Sequence, residues 1–194
     1  MSDAGGTRAQ HADAVAALTR WRPATSEQDA LRQDYLAHLE RHPDGTSREG
    51  PPAHLTASCF VLDAAAGRVL LTLHRKGGFW VQLGGHLEPG DAGLAAAALR
   101  EGREESGLPG LRLVPAGAPA PVDLHRHALS GAFGRCREHL DVAFAAVAPD
   151  GARPMTSAES VDVAWWPVDA LPPGVVPDLP GRLAAVVEVV RRSS

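Results

Sequence analysis

The feature that most constrains the fold is a β-prone run followed by a glycine-rich loop and then a helix-forming stretch. Residues 79–83 predict a short strand, and residues 84–91 predict a loop. The stretch 92–106 is rich in Ala, Leu, Glu and Arg, and Gly107 follows it, as is typical of a helix that ends at a glycine. This part of the chain is therefore predicted to form a strand, a loop and a helix in that order.

Further β-prone runs lie on both sides of this segment. Residues 55–62 and 69–74 are separated by a turn and predict a hairpin. The remaining runs are 111–114, 122–127, 140–147 and 161–166, and an apolar helix is predicted near 180–191. This order predicts an α/β (α+β) fold in which a mixed sheet is flanked by helices.

Residues 1–50 predict an N-terminal helical extension to a domain formed by residues 51–194. Apolar residues recur at three- and four-residue spacing between Ala9 and His42, which predicts two amphipathic helices separated by Pro23. The stretch 43–52 is rich in Gly, Pro, Ser and charged residues and marks the boundary. The extension could be a cap that covers a sheet or a dimer surface, or a lid over a substrate.

Composition excludes several classes of function. A net charge of −4 without a long Lys/Arg block argues against a surface for duplex nucleic acid. The apolar stretches fall far short of the roughly 20 residues needed to span a bilayer, and residues 1–6 lack the features of a secretory signal. Cys59 and Cys136 form no Cys-x-x-Cys pair, which indicates neither a disulfide framework nor a thiolate zinc site. We therefore expect a cytoplasmic protein; the net charge says nothing about small substrates, because a phosphorylated ligand needs only a local basic patch.

Three glutamates in the predicted helix are the main candidates for chemistry. Glu101, Glu104 and Glu105 stand at positions i, i+3 and i+4, so a helix projects them to one side. Crowded carboxylates are unfavourable unless a cation neutralises them, and compact oxygen ligands suit Mg²⁺ or Mn²⁺. Arg100 is close enough to Glu104 to pair with it and hold its orientation. The alternative is a solvated helix face, but the preceding glycine loop favours a site because its backbone can approach a phosphate or a metal ion.

At these residues the sequence resembles the Nudix box, whose pattern is G-x5-E-x7-R-E-U-x-E-E-x-G-U, with U an aliphatic residue. The matching residues, in order, are Gly85, the acidic Asp91, Arg100, Glu101, Glu104, Glu105, Gly107 and Leu108, preceded by Trp80 and Gly84. The chain departs from the pattern because Asp91 replaces the first Glu and eight residues, rather than seven, separate it from Arg100. In addition, Gly102 stands where an aliphatic residue is usual. The mutual spacing of the three glutamates is intact.

The resemblance implies a Nudix-like α/β/α sandwich and a hydrolase that splits the diphosphate linkage of a small molecule, a nucleoside diphosphate derivative. By this resemblance, Glu101, Glu104, Glu105 and the carbonyl of Gly84 bind Mg²⁺ or Mn²⁺. Water then attacks phosphorus and releases a monophosphate and a second phosphorylated fragment. The general base is either Glu105 or Glu159, although Glu159 could equally be a plain loop carboxylate. Independently of the resemblance, the N-terminal helices could support a homodimer.

Four other residues are candidates for substrate contacts. His86 lies in the glycine loop and could contact a phosphate, whereas His139, in a predicted strand, could face the same cleft. Arg75 and Lys76 follow the second predicted strand and could meet substrate phosphates or remain solvated loop charges. The histidines as a group lack a recognised zinc spacing, which favours surface or core roles. They include His54, His74, His86, His125, His127 and His139.

Two other functions are compatible with the same box. An isopentenyl diphosphate isomerase resembles Nudix proteins in fold but rearranges a double bond, and the intact glutamate trio disfavours it. A non-catalytic ligand-sensing domain would explain the lengthened box and Gly102. No DNA-binding helix pair or basic stripe is evident in the sequence to serve such a sensor.

Overall fold

Helices and strands follow one another in an α+β order. The computed structural model describes residues 4–75, 77–129, 135–156 and 160–193. The helices are α1 (Ala4–Arg20), α2 (Ser26–Arg41), α3 (Leu94–Ser106) and α4 (Leu179–Ser193). The strands are β1 (Ala53–Leu62), β2 (Arg68–His74), β3 (Trp80–Val81), β4 (Leu83–His86), β5 (Arg112–Val114), β6 (Asp123–Ala128), β7 (Glu138–Val147) and β8 (Ser160–Pro167). Within the described ranges, each helix is too short or too polar to span a membrane.

The strands form a sheet in the order β3-β2-β1-β7-β5, with β4 beside β1, β6 beside β7 and β8 beside β2. Strands β1 and β2 are antiparallel, with Val61 opposite Leu70, which confirms the predicted hairpin. Strand β8 pairs with β2 along its length, and β6 pairs with β7 in the same antiparallel sense. The predicted α+β fold, a sheet accompanied by helices, is confirmed.

The glycine-rich segment is the place where the observed strands differ most from the predicted ones. The strand expected at 79–83 is divided into β3 and β4, and β4 continues through Gly84 and Gly85 to His86. Glycine has a low strand propensity, but pairing with the neighbouring β1 supplies the backbone contacts that override it. The loop therefore begins after His86 rather than at Gly84.

The helix that follows this loop ends as its sequence predicts. Helix α3 stops at Ser106, and Gly107 adopts a left-handed backbone conformation with φ of 66°. The Gly107 N–H donates to the Arg103 carbonyl at 2.8 Å, which satisfies one of the last carbonyls of the helix.

The chain divides into two compact units. Unit 1 comprises Met1–Ala57, Gly85–Ala98 and Ala120–Ala143. Unit 2 comprises Ser58–Gly84, Leu99–Pro119 and Phe144–Ser194. Both units have apolar interiors, since Leu18, Tyr35 and Leu39 are fully buried in unit 1 and Phe60, Leu70 and Leu83 are fully buried in unit 2.

The predicted N-terminal helices are present, and both make specific contacts inside unit 1. The Gln28 side chain of α2 accepts from the Leu124 N–H at 2.7 Å and donates to the Leu124 carbonyl at 2.9 Å. It thereby satisfies backbone groups of β6 that would otherwise need water or another strand. If the N-terminal extension covers the sheet as a cap, contacts of this kind are expected.

Helix α1 caps the helix that carries the glutamates. The Asp13 carboxylate accepts from the N–H of Leu94, the first residue of α3, at 2.9 Å. Gln10 donates to the carbonyls of Glu88 and Asp91 and so holds the loop that precedes α3. The N-cap of α3 is thus supplied by a side chain far away in the sequence.

Packing in unit 2 explains why Gly102 departs from the usual aliphatic residue. A Cβ atom at this position would lie 3.3 Å from Leu111 Cδ1 and 3.4 Å from Cys59 Cβ. Cys59 is fully buried, and burial raises the pKa of its thiol to about 12, so it acts as an inert core side chain. The helix backbone therefore lies close to the sheet at Gly102, and a branched side chain has no room there.

Candidate functional site

The first group of ligand-type side chains lies on α3. One nitrogen of Arg100, Nη1, is 3.0 Å from Glu101 Oε1 and 2.9 Å from Glu104 Oε2. The predicted pairing of Arg100 with Glu104 is therefore present, and Glu101 shares it. Because two carboxylates converge on one cationic atom, they lie on the same side of the helix and can approach a common cation.

Glu105 is the buried member of this group. It is 8% exposed, and one of its oxygens accepts from the Gly84 N–H at 2.9 Å. A carboxylate that is removed from water needs such a hydrogen bond to remain ionised at low cost. The contact also places Glu105 against the peptide of Gly84, whose carbonyl is the predicted backbone ligand.

The donor set on α3 fits a hard divalent cation. It consists of carboxylate oxygens and a nearby backbone carbonyl, which are the ligands that Mg²⁺ and Mn²⁺ prefer. The three carboxylates are not gathered into one compact set of ligand atoms among the described residues. Arg100 holds two of them, so binding requires at least one side chain to rotate, and the Glu104 side chain, 59% exposed, is free of packing that would prevent this.

Arg75, Lys76 and Glu159 are further predicted site residues. Arg75 is exposed at the end of β2. Lys76 and Glu159 lie outside the described residues. The substrate role of Arg75 and Lys76 and the catalytic role of Glu159 stay predictions.

The second group of ligand-type side chains lies in unit 1 and combines histidine with cysteine. His54, His86, His139 and Cys136 each offer one ligand atom, and these atoms all lie within 4.8 Å of one another. Cys136 Sγ is 3.8 Å from His54 Nε2 and 3.9 Å from His86 Nε2. We call these four residues the histidine-cysteine cluster. It includes His86 and His139, both of which the sequence predicts to contact substrate, and that prediction is untested.

The pairing of strands explains how the cluster assembles. His139 lies opposite His127 and Asp141 lies opposite His125 in the antiparallel pair of β6 and β7. Side chains two residues apart on a strand share a face, so these residues line one surface. On the neighbouring β1, the Thr56 hydroxyl donates to Asp141 at 3.0 Å, which places His54, two residues earlier, on the same surface.

The sequence does not reveal this arrangement, because the four residues lack the short fixed spacings by which zinc ligands are recognised. The cluster draws its members from separate segments that only the sheet brings together. The available signal was the alternation in His125-x-His127 and His139-x-Asp141, which places polar side chains on one face of each strand. That signal identifies the face but not the neighbouring strand.

The electrostatics of the cluster favour the neutral form of His86 and His139. Burial lowers the pKa of His86 to about 4, and the neighbouring His54 and Arg48 lower it further. Burial likewise lowers the pKa of His139 to about 3, with further contributions from the neighbouring histidines and Arg48. Neutral imidazoles retain the lone pair that a metal ion requires.

Comparison with known proteins identifies the family. The model of the NUDIX domain matches residues 52–186, which is more than half of the chain. A search of curated proteins found none that matches this chain. The chain belongs to the Nudix hydrolase family, as the box had indicated, and its predicted assignment to this class of enzymes is confirmed.

Solved structures share the fold at low sequence identity. A Nudix family hydrolase from Clostridium perfringens is 21% identical, covers 73% of this chain and 98% of its own, and superposes with a TM-score of 0.54. A C. elegans Ap4A hydrolase binary complex gives 17% identity, coverage of 71% and 98%, and a TM-score of 0.57. The E. coli dihydroneopterin triphosphate pyrophosphohydrolase gives 17% identity, coverage of 71% and 95%, and a TM-score of 0.54. The predicted Nudix-like fold is confirmed.

Proposed function

We propose that the chain is a Mg²⁺-dependent hydrolase that cleaves the diphosphate linkage of a nucleoside diphosphate derivative. The products are a nucleoside monophosphate and a second phosphorylated fragment. The observation that supports this most directly is the convergence of Glu101 and Glu104 on one point of α3, with Glu105 held against Gly84. The activities named for the C. elegans and E. coli relatives, on Ap4A and on dihydroneopterin triphosphate, support a nucleotide-like substrate.

The carboxylates of Glu101, Glu104 and Glu105, with the Gly84 carbonyl, would hold Mg²⁺ or Mn²⁺. When bound, the cation supplies charge neutralisation at the diphosphate and lowers the pKa of water toward neutrality. Arg100 contacts two of these carboxylates and restricts their rotation, so it is a positioning residue.

Glu105 is the candidate general base that the described residues support. Its carboxylate is buried, and the Gly84 N–H donates to it and fixes its orientation. Glu159 is the alternative base. Arg75 and Lys76 are proposed to contact the substrate phosphates, where their positive charge would partly neutralise the negative charge of the diphosphate.

The proposed partner is a small diphosphate compound rather than duplex nucleic acid or a membrane. A net charge of −4 supports this choice, because a duplex-binding surface requires an excess of basic residues. We further propose a cytoplasmic location and a possible homodimer, which a size measurement would test.

A substrate screen with product identification tests the proposal. The full chain is incubated with Mg²⁺ and ADP-ribose, nucleoside triphosphates, sugar nucleotides or dinucleoside polyphosphates, and the products are identified by mass. Monophosphate release is expected with the wild type and with Glu188→Gln, a control on α4 whose side chain is exposed and pairs with Arg192. Release that survives in the double variant Glu104→Gln and Glu105→Gln would contradict the assigned site.

A further inference from the structure

We propose that His54, His86, His139 and Cys136 form a Zn²⁺ site, built from nitrogen and sulfur donors rather than from the box carboxylates. The four residues belong to unit 1 and come from β1, the end of β4, β7 and the residues just before β7. Their ligand atoms already lie within 4.8 Å of one another.

The two distances from Cys136 Sγ to histidine nitrogens are close to those of a tetrahedral zinc centre. Zinc bonds of about 2.3 Å to sulfur and about 2.0 to 2.1 Å to nitrogen require sulfur and nitrogen ligands to be roughly 3.5 Å apart. Cys136 Sγ lies 3.8 Å from His54 Nε2 and 3.9 Å from His86 Nε2. These two distances need to shorten by a few tenths of an ångström, and the other pairs of ligand atoms, all within 4.8 Å, by up to about 1.4 Å, which rotation of the side chains can supply.

Hydrogen bonding prepares His54 to act as a ligand. Its Nδ1 atom lies 2.9 Å from the Pro51 carbonyl, and a carbonyl can only accept, so Nδ1 carries the proton. The Nε2 atom that faces Cys136 therefore presents a lone pair. A backbone carbonyl on the outer nitrogen is a common support for zinc-binding histidines.

His139 gives an independent indication of a missing ligand. Its Nε2 atom is buried, and among the described residues no hydrogen-bond partner reaches it. A buried polar atom without a partner is costly to the folded state, and such an atom calls for an unobserved ligand, water or ion. A cation coordinated by this nitrogen would remove the cost.

The charge of the cluster is compatible with a divalent ion. Binding replaces the Cys136 thiol proton, which leaves to solvent, so a sulfur–zinc bond forms as the S–H bond breaks. The thiolate neutralises one of the two charges of Zn²⁺. Arg48, the basic residue whose charge acts on His86, is exposed, so solvent and salt weaken its repulsion of the ion.

The ligand set also predicts selectivity and role. Imidazole and thiolate ligands select Zn²⁺ over Mg²⁺, and four protein ligands leave no open position for substrate. The site is therefore structural and joins β1, β4 and β7 through side chains. This holds whether or not the chain hydrolyses a diphosphate.

Metal titration of the full chain, treated first with EDTA and then kept in excess Mg²⁺, tests the proposal. We expect one zinc ion per chain by mass spectrometry and a rise in the melting temperature of about 5 to 10 °C at saturating Zn²⁺. Co²⁺ should give a thiolate-to-cobalt charge-transfer band. Cys136→Ser should lack this band and the thermal response, whereas the buried-cysteine control Cys59→Ser should retain both.

Folding failure and loss of the metal are distinguished by measuring the variants in EDTA. Cys136→Ser should melt at the temperature of the EDTA-treated wild type, since only the metal contribution is removed. The double variant Glu104→Gln and Glu105→Gln should keep the zinc stoichiometry, so the two sites can fail separately. Zinc binding unchanged in Cys136→Ser and His139→Ala would overturn the proposal, as would stabilisation by inorganic phosphate but not by Zn²⁺.

Discussion

The carboxylate group on α3 and the histidine-cysteine cluster are assembled in opposite ways. Glu101, Glu104 and Glu105 come from neighbouring turns of one helix. The cluster draws on residues 54, 86, 136 and 139, which the pairing of β1, β4 and β7 brings together. The spacing of residues on one helix face can be recognised within a short stretch of sequence, whereas strand pairing depends on the whole fold. A local group can therefore be recognised by its spacing, and a group formed by a sheet cannot.

The two groups also differ in charge and in the ligands they favour. The carboxylates carry negative charge that Arg100 partly balances, and the Glu104 side chain is largely exposed. The cluster is mostly buried, and burial lowers the pKa of His86 and His139 so that both stay neutral. One group suits a hard cation with several oxygen ligands, and the other suits zinc.

The largest expected effect comes from changing the charge of one carboxylate. Glu101→Gln should lower kcat/KM at least about a hundredfold, because it removes a charge that stabilises the transition state through the bound cation. Steady-state kinetics with the substrate from the screen measure this, with Glu188→Gln as control. Zinc stoichiometry should not change, and a loss of zinc in Glu101→Gln would show that the two groups are not independent.

A smaller effect is expected when the carboxylates are released from Arg100. Arg100→Ala should lower activity about 10- to 100-fold, because Glu101 and Glu104 lose the contact that orients them. Higher Mg²⁺ should restore part of the activity if Arg100 acts through metal binding. Arg192→Ala removes an exposed ion pair with Glu188 on α4 and should have no effect on activity. Full activity in Arg100→Ala at low Mg²⁺ would refute the positioning role.

Gly102 tests how tightly the carboxylate helix is packed. Gly102→Ile should lower the free energy of unfolding by about 1 to 3 kcal/mol, because its branched side chain would meet Leu111 and Cys59. Gly102→Ala is the control, since a small shift of the Leu111 side chain accommodates its Cβ and alanine favours the helix by about 1 kcal/mol. Urea denaturation measures both. An isoleucine variant as stable as the wild type would show that the close approach is not a constraint.

The smallest expected effect concerns the cap that α1 supplies to α3. Asp13→Ala should lower the free energy of unfolding by about 1 kcal/mol, because the Leu94 N–H loses its acceptor. Asp13→Asn keeps an oxygen acceptor and should lose less. Thermal unfolding of the two variants in parallel measures the difference. Equal stability of Asp13→Ala and the wild type would show that the cap does not contribute.

The sequence predicts the elements well because they follow from local patterns. The hairpin of β1 and β2, helix α3 with its end at Gly107, and the pairing of Arg100 with Glu104 all depend on spacing within a few residues. The continuation of β4 through Gly84 and Gly85 was not predicted, because it results from pairing with β1 rather than from local propensity.

The candidate sites show the same limit. The three glutamates were identified from a motif, whereas His54 and Cys136 were not recognised as members of any site. The capping of α3 by Asp13 could not be predicted from the sequence either, since the hydrogen bond joins residues 81 positions apart. Contacts between distant segments require the register of the sheet and the packing of helices, neither of which a single sequence reveals.

The bond between Asp13 and Leu94 also bears on the order of events during synthesis. Helix α1 is translated before α3. The Asp13 carboxylate therefore has no Leu94 N–H to accept from until a further 81 residues have been added. The N-terminus of α3 can be completed only when both segments are out of the exit tunnel. The helix that bears the glutamates therefore gains part of its stability from a segment that is translated before it.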